Sequence, residues 1–133
     1  MLYNNNSFIF AASKVESMIV SCNKKDFLSR LIDLVSIISL PKDYHLGDRQ
    51  KEFLVYSILF ASEGIALEST EMVNKICDVM TIAPDNVWNY RRTLKGKGWL
   101  IQTPTGLSLL SPIDFTNKPI PKELSLTLVN DNT

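Results

Sequence analysis

Residues 81–109 read TIAPDNVWNYRRTLKGKGWLIQTPTGLSL, and the fold is decided in this stretch. Pro84 suits the first position of a helix, where its missing N–H goes unused, and Asp85 sits favourably at the positive end of the helix dipole. Val87, Tyr90, Arg91 and Leu94 then fall at i, i+3, i+4 and i+7. That spacing predicts one inward stripe, in which only Arg91 is unusual. Gly96 and Gly98 predict the stop, because glycine readily takes the left-handed conformation of a C-terminal cap. Beyond them, Trp99-Leu100-Ile101 and Leu107-Ser108-Leu109 flank Thr103-Pro104-Thr105-Gly106, a turn-forming cluster between two short strands.

Upstream, a helix is expected from about Asp48 to Ser62. Its middle, Phe53 to Ala61, is apolar nearly all round, so burial on several sides follows. Gly64 ends it, and Ser69 or Thr70 caps a further helix to about Met80, with Met72, Val73, Ile76, Cys77 and Met80 inward. Thr81-Ile82-Ala83 joins that helix to the next. Further back, Asn23 caps a helix over Lys24–Leu40, with Asp26 in the place of a capping-box acid. Phe27, Leu31, Leu34 and Ile38 form its apolar stripe, while Asp26, Arg30 and Asp33 mark the wet side. Ile32, Val35 and Ile37 widen the apolar face beyond what one neighbour covers, which points to a second packing partner. Pro41 stops this helix, and Lys42 to Gly47 form a linker.

A helix followed by Lys-Gly-Trp-Leu and a hairpin resembles the second half of a winged helix-turn-helix domain. The resemblance is carried by Val87, Leu94, Gly98, Trp99, Leu100 and Gly106 with the helix before them, and it covers roughly residues 48–111. It implies that the helix over 84–96 is a recognition helix, that the hairpin is the wing, and that Ile65-Ala66-Leu67 forms a short strand pairing with the wing. The expected architecture is mainly α with a small β-hairpin wing, an α+β fold. A winged-helix core over 48–111 carries an N-terminal arm and amphipathic helix (1–47) and a proline-rich extended C-terminal arm (112–133).

The arms are less definite. Phe8–Phe10 and Lys14–Ser21 read as short strands, although Val15, Met18 and Ile19 also suit a helical turn. Pro112, Pro119 and Pro121 make Ser111–Leu124 extended, and Leu124, Leu126 and Leu128 alternate with Ser125, Thr127 and Val129 as a strand or docking arm. The apolar residues of both arms either pack on the long first helix or reach a second subunit.

Composition narrows the function classes. A chain of 133 residues, 45% hydrophobic, supports one domain with extensions rather than a disordered chain. Fourteen basic and fourteen acidic residues cancel, so no global charge draws it to nucleic acid. The apolar runs are too short for a membrane span and no positive segment precedes Ser7-Phe8-Ile9-Phe10, so a cytoplasmic protein with no membrane partner is expected. Cys22 and Cys77 match no metal spacing and read as small reduced core residues.

Charge placement supplies the candidate site. Arg91, Arg92, Lys95 and Lys97 stand together, with no acid from Asn86 to Ile113. Asp85, Trp88, Asn89, Arg92 and Lys95 share the outward face of the recognition-like helix. Asparagine and arginine can pair with adenine and guanine edges, and lysines can hold phosphates. The expected DNA-contacting set is therefore Asn86, Trp88, Asn89, Arg92, Lys95 and Lys97. Duplex DNA is the expected partner, and a homodimer with a role in transcription regulation follows from the resemblance and the surplus apolar surface. Against this stand the wing tip, which has no Lys or Arg, and the acids Glu68, Glu71 and Asp78 before the recognition-like helix. The alternative is a winged-helix protein-interaction module in a larger transcription or phage-type complex, docking through Trp88. No cofactor or metal is expected. An enzyme is not expected either, since His45 has no nucleophile partner and no carboxylates pair as acid and base.

Overall fold

The computed structural model describes residues 15–21, 23–39, 45–121 and 123–129. The expectations for Phe8–Phe10, Cys22 and Pro41 lie outside them. In chain order the elements are β1 (Val15–Ser21), α1 (Lys24–Ser39), α2 (Asp48–Ser62), α3 (Thr70–Met80), α4 (Pro84–Gly96), β2 (Leu100–Thr103), β3 (Gly106–Leu109), a 3-10 turn (Ser111–Ile113) and β4 (Glu123–Val129). The fold is mainly helical with small antiparallel sheets. Four helices followed by a two-stranded hairpin make a layout compatible with a winged helix.

Local signals place the helix ends. Asn23 caps α1, its Oδ1 accepting the Asp26 N–H at 2.8 Å. At the start of α2, Gln50 Oε1 accepts the Gly47 N–H at 3.0 Å, half of a capping box, since glycine has no side chain to return the bond. Ser69 Oγ accepts the Met72 N–H at the start of α3. Gly96 proves to be the last residue of α4, and the left-handed cap falls on Gly98 at φ 84°. There Gly98 N–H reaches Lys95 O and Trp99 N–H reaches Leu94 O, a double bond pattern that satisfies two orphan carbonyls and swings Trp99 into the core.

The wing pairs Leu100 with Leu109 and Thr103 with Gly106 across a two-residue turn, Pro104-Thr105. Its inner residues Leu100 and Leu109 join Trp99, Val87, Leu94, Phe53, Leu54, Ile58, Met72 and Ile76 in one buried cluster. That cluster is continuous with α1 and with Ile113 and Ile120 beyond the wing.

Three expectations are corrected. In α1 the buried residues are Phe27, Leu28, Ile32 and Val35, whereas Ile38 is 70% and Ile37 77% exposed. The helix is apolar around more than half its girth, so packing on α2, rather than spacing, selects the buried face. Ile65-Ala66-Leu67 form no strand; the segment is a loop ending in a turn, held by Arg91 of α4 at Leu67 O and linked to the wing by Glu68. Residues 111–121 are not an extended arm. The 3-10 turn seats Ile113 fully inside, Phe115 meets Phe27 edge-on at 6.2 Å, and the Asn117 N–H reaches Ala61 O. Pro112 sits in the 3-10 turn, and a second turn with Asn117 at φ 58° and the Lys118 N–H on Phe115 O folds the chain back on the body. The two arms then meet each other: β1 and β4 are antiparallel, from Val15 opposite Val129 to Ser21 opposite Glu123, with β4 beside α1. Among the described residues no helix is long and apolar enough to cross a membrane.

Candidate nucleic-acid interface

The helix α4 has two faces of different kinds. Val87, Arg91 and Leu94 are buried, and Tyr90 stacks on Phe53 of α2 with ring centroids 5.1 Å apart. The other face presents Asp85, Asn86, Trp88, Asn89, Arg92 and Lys95 to solvent. Five of the six residues expected from the sequence thus share one exposed surface. Arg92 Nη1 donates to Asn89 Oδ1 at 3.2 Å, an i, i+3 pair that holds the two polar heads side by side. Among the described residues Arg92 keeps its other donors free, and Asn89 its amide N–H groups. Lys95 has no partner among the described residues.

Lys97 is the sixth, and the structure separates it from the others. Its ammonium donates to His45 O at 2.9 Å and to Gln50 Oε1 at 3.0 Å. It ties the end of α4 to the chain entering α2, with two of its three N–H donors on the protein's own acceptors.

The remaining cations of residues 48–111 are also engaged. Arg49 donates to Glu52 Oε1 and Met80 O, Lys51 pairs with Asp33 at 3.0 Å, and Lys75 lies over the Phe60 ring at 5.6 Å. Arg91 is only 8% exposed. It donates to the Leu67 carbonyl, and its guanidinium carbon stands 5.0 Å from the centre of the Trp88 ring. Burial lowers its pKa from the usual arginine value, opposed by the nearby charge of Glu68. Among these cations the Lys95 ammonium has no contact within the described residues, and Arg92 bonds only to the neighbouring Asn89.

Glu68 has a task the sequence did not suggest. Its Oε1 accepts the Leu107 N–H at 3.0 Å, so this acid latches the edge of β3 in place of the expected strand. The wing tip itself is closed by Thr103 Oγ1, which donates to Gly106 O at 2.7 Å. For the contact of Arg91 with the Leu67 carbonyl the sequence signal was the arginine in an inward stripe, since a buried cation must find acceptors somewhere. The tie made by Lys97 had no comparable signal.

The chain matches no protein-family model, no curated protein and no solved structure. The α4 surface exposes one aromatic ring, Trp88, the hydrogen-bonded pair Asn89 and Arg92, and the Lys95 ammonium. Among the described residues no group of His, Cys, Asp or Glu is arranged to hold a metal ion.

Proposed function

We propose that this chain is a winged-helix DNA-binding protein, a cytoplasmic transcriptional regulator that reads duplex sequence with α4 and works as a homodimer. The observation that carries the reading is the outer face of α4, where Asn86, Asn89, Arg92 and Lys95 stand exposed opposite a fully packed stripe. A helix so displayed fits a major groove about 12 Å wide, where Asn and Arg can make bidentate contacts to adenine and guanine. With Lys97 tied to the protein's own acceptors, each copy brings two cations, Arg92 and Lys95, to displace counterions from the duplex, Lys95 at a phosphate and Arg92 from a base edge. A dimer's affinity should then fall with salt at a log–log slope near −3.6, at about −0.9 per contact. Fluorescence anisotropy against random and selected duplexes over about 50–200 mM salt measures this slope. The double variant Asn89→Ala/Arg92→Ala should lose about 1–3 kcal/mol of base discrimination per bidentate contact removed. Unchanged affinity and sequence preference in the folded double variant refutes the reading.

One observation favours a second reading. Trp88 is 47% exposed on α4, and the wing carries no cation. A solvent-facing indole is a common anchor of protein interfaces. As a docking module the chain would show no salt-sensitive binding to any duplex, and Trp88→Ala would abolish its partner complex.

A further inference from the structure

We infer that Arg91 is a positioning residue for the α4 surface: its guanidinium fixes the pose of the Trp88 ring and, through Leu67 and Glu68, the placement of the wing. The functional consequence rests on the DNA-binding reading above, whereas the two structural consequences do not.

An inward stripe position between Val87 and Leu94 would be filled most cheaply by an apolar side chain, because burying a cation is costly without compensation. Among the described residues no carboxylate lies within ion-pair distance of Arg91. Its compensation comes instead from the Leu67 carbonyl, the face of the Trp88 ring and the more distant charge of Glu68. An apolar residue would supply none of these ties. Leu67 and Glu68 are consecutive, so whatever holds Leu67 also sets Glu68. The Glu68 carboxylate in turn holds the Leu107 N–H, and its Oε1 stands 3.0 Å from where a Cβ would project at Gly106. The path from α4 through Leu67 and Glu68 to β3 does the work that strand pairing would do. At its other end the guanidinium covers one face of Trp88 by a cation–π contact and leaves the rest of the ring outward. One buried side chain thereby couples the two parts of the molecule that a duplex would meet.

The test is Arg91→Met, which keeps an unbranched stem and removes the guanidinium. Trp99 is fully buried, so acrylamide quenching of the fluorescence reports Trp88. Its quenching constant should rise by up to roughly twofold, the most that a ring already 47% exposed can gain when the cation leaves. The Leu107 amide should exchange about tenfold faster, while the backbone amides inside α4 keep their protection. Duplex affinity should fall with no change in salt slope, because Arg91 neutralises no phosphate; Arg92→Gln should instead shallow the slope by about 0.9 per copy. Wild-type quenching and wild-type Leu107 exchange in folded Arg91→Met overturn the inference, and so does a shallower slope. Should Arg91→Met fail to fold, Glu68→Ala probes the same link from its far end: faster Leu107 exchange supports it and wild-type exchange overturns it. If the wild-type protein binds no duplex, the DNA reading fails, and the quenching and exchange results still judge Arg91.

Discussion

Lys95 and Lys97 lie two residues apart and carry the same charge, yet replacing each with methionine should give opposite results. The Lys97 ammonium donates to His45 O and to Gln50 Oε1, and Gln50 also holds the Gly47 N–H at the start of α2. Removing the ammonium loosens the junction between the entry to α2 and the exit from α4. Hydrogen bonds from a charged donor contribute about 1.5–3 kcal/mol each when well buried. Lys97 is only partly buried, so the two together are discounted to about 1–2 kcal/mol. For a chain of this size that lowers Tm by about 3–8 °C. Lys95 is exposed and has no such partner, and its replacement should stay within about 0.5 kcal/mol. Duplex titrations reverse the order. Lys95→Met should shallow the salt slope by about 0.9 per copy, while Lys97→Met leaves it unchanged. Thermal unfolding followed by circular dichroism, paired with anisotropy at several salt concentrations, measures both quantities. A wild-type Tm together with a shallower slope for Lys97→Met would refute the reasoning, because the ammonium would then be free to meet a phosphate.

Two further outcomes are expected. If the exposed pair Ile37 and Ile38 lies in a homodimer interface, Ile37→Asp/Ile38→Asp should yield a folded 15.0 kDa monomer in sedimentation, and a wild-type protein that is itself monomeric at tens of micromolar refutes the dimer. Gly106 has φ 130° and its missing Cβ would meet Glu68 Oε1 at 3.0 Å, so Gly106→Ala should cost about 1–3 kcal/mol, seen as a lower urea midpoint; an unchanged midpoint would mean that the wing accommodates a side chain there.

The sequence by itself determined the elements whose signals are local. Pro84 and Gly98 bound α4 and its cap, Asn23 and Ser69 start α1 and α3, and Pro104-Thr105-Gly106 turns the wing, because each acts through the backbone of its immediate neighbours. The exposed set Asn86, Trp88, Asn89, Arg92 and Lys95 was legible for the same reason: helical periodicity places a residue on a face wherever the opposite stripe is clearly apolar. Only the tertiary structure decided matters that depend on a distant partner. The periodicity of α1 suggested Phe27, Leu31, Leu34 and Ile38, but contact with α2 and with the 113–120 segment buried Phe27, Leu28, Ile32 and Val35. Prolines after the wing exclude a continued α-helix, yet nothing local says that Ile113 and Ile120 will be drawn into the core. Lys97 looked like one more phosphate ligand until His45 and Gln50, far away in the chain, met its ammonium. Glu68 looked like a repulsive acid until β3 offered it an unpaired N–H. A charge is visible in a sequence. Whether it is free or engaged is settled by which acceptors and donors the folded chain brings within hydrogen-bond reach.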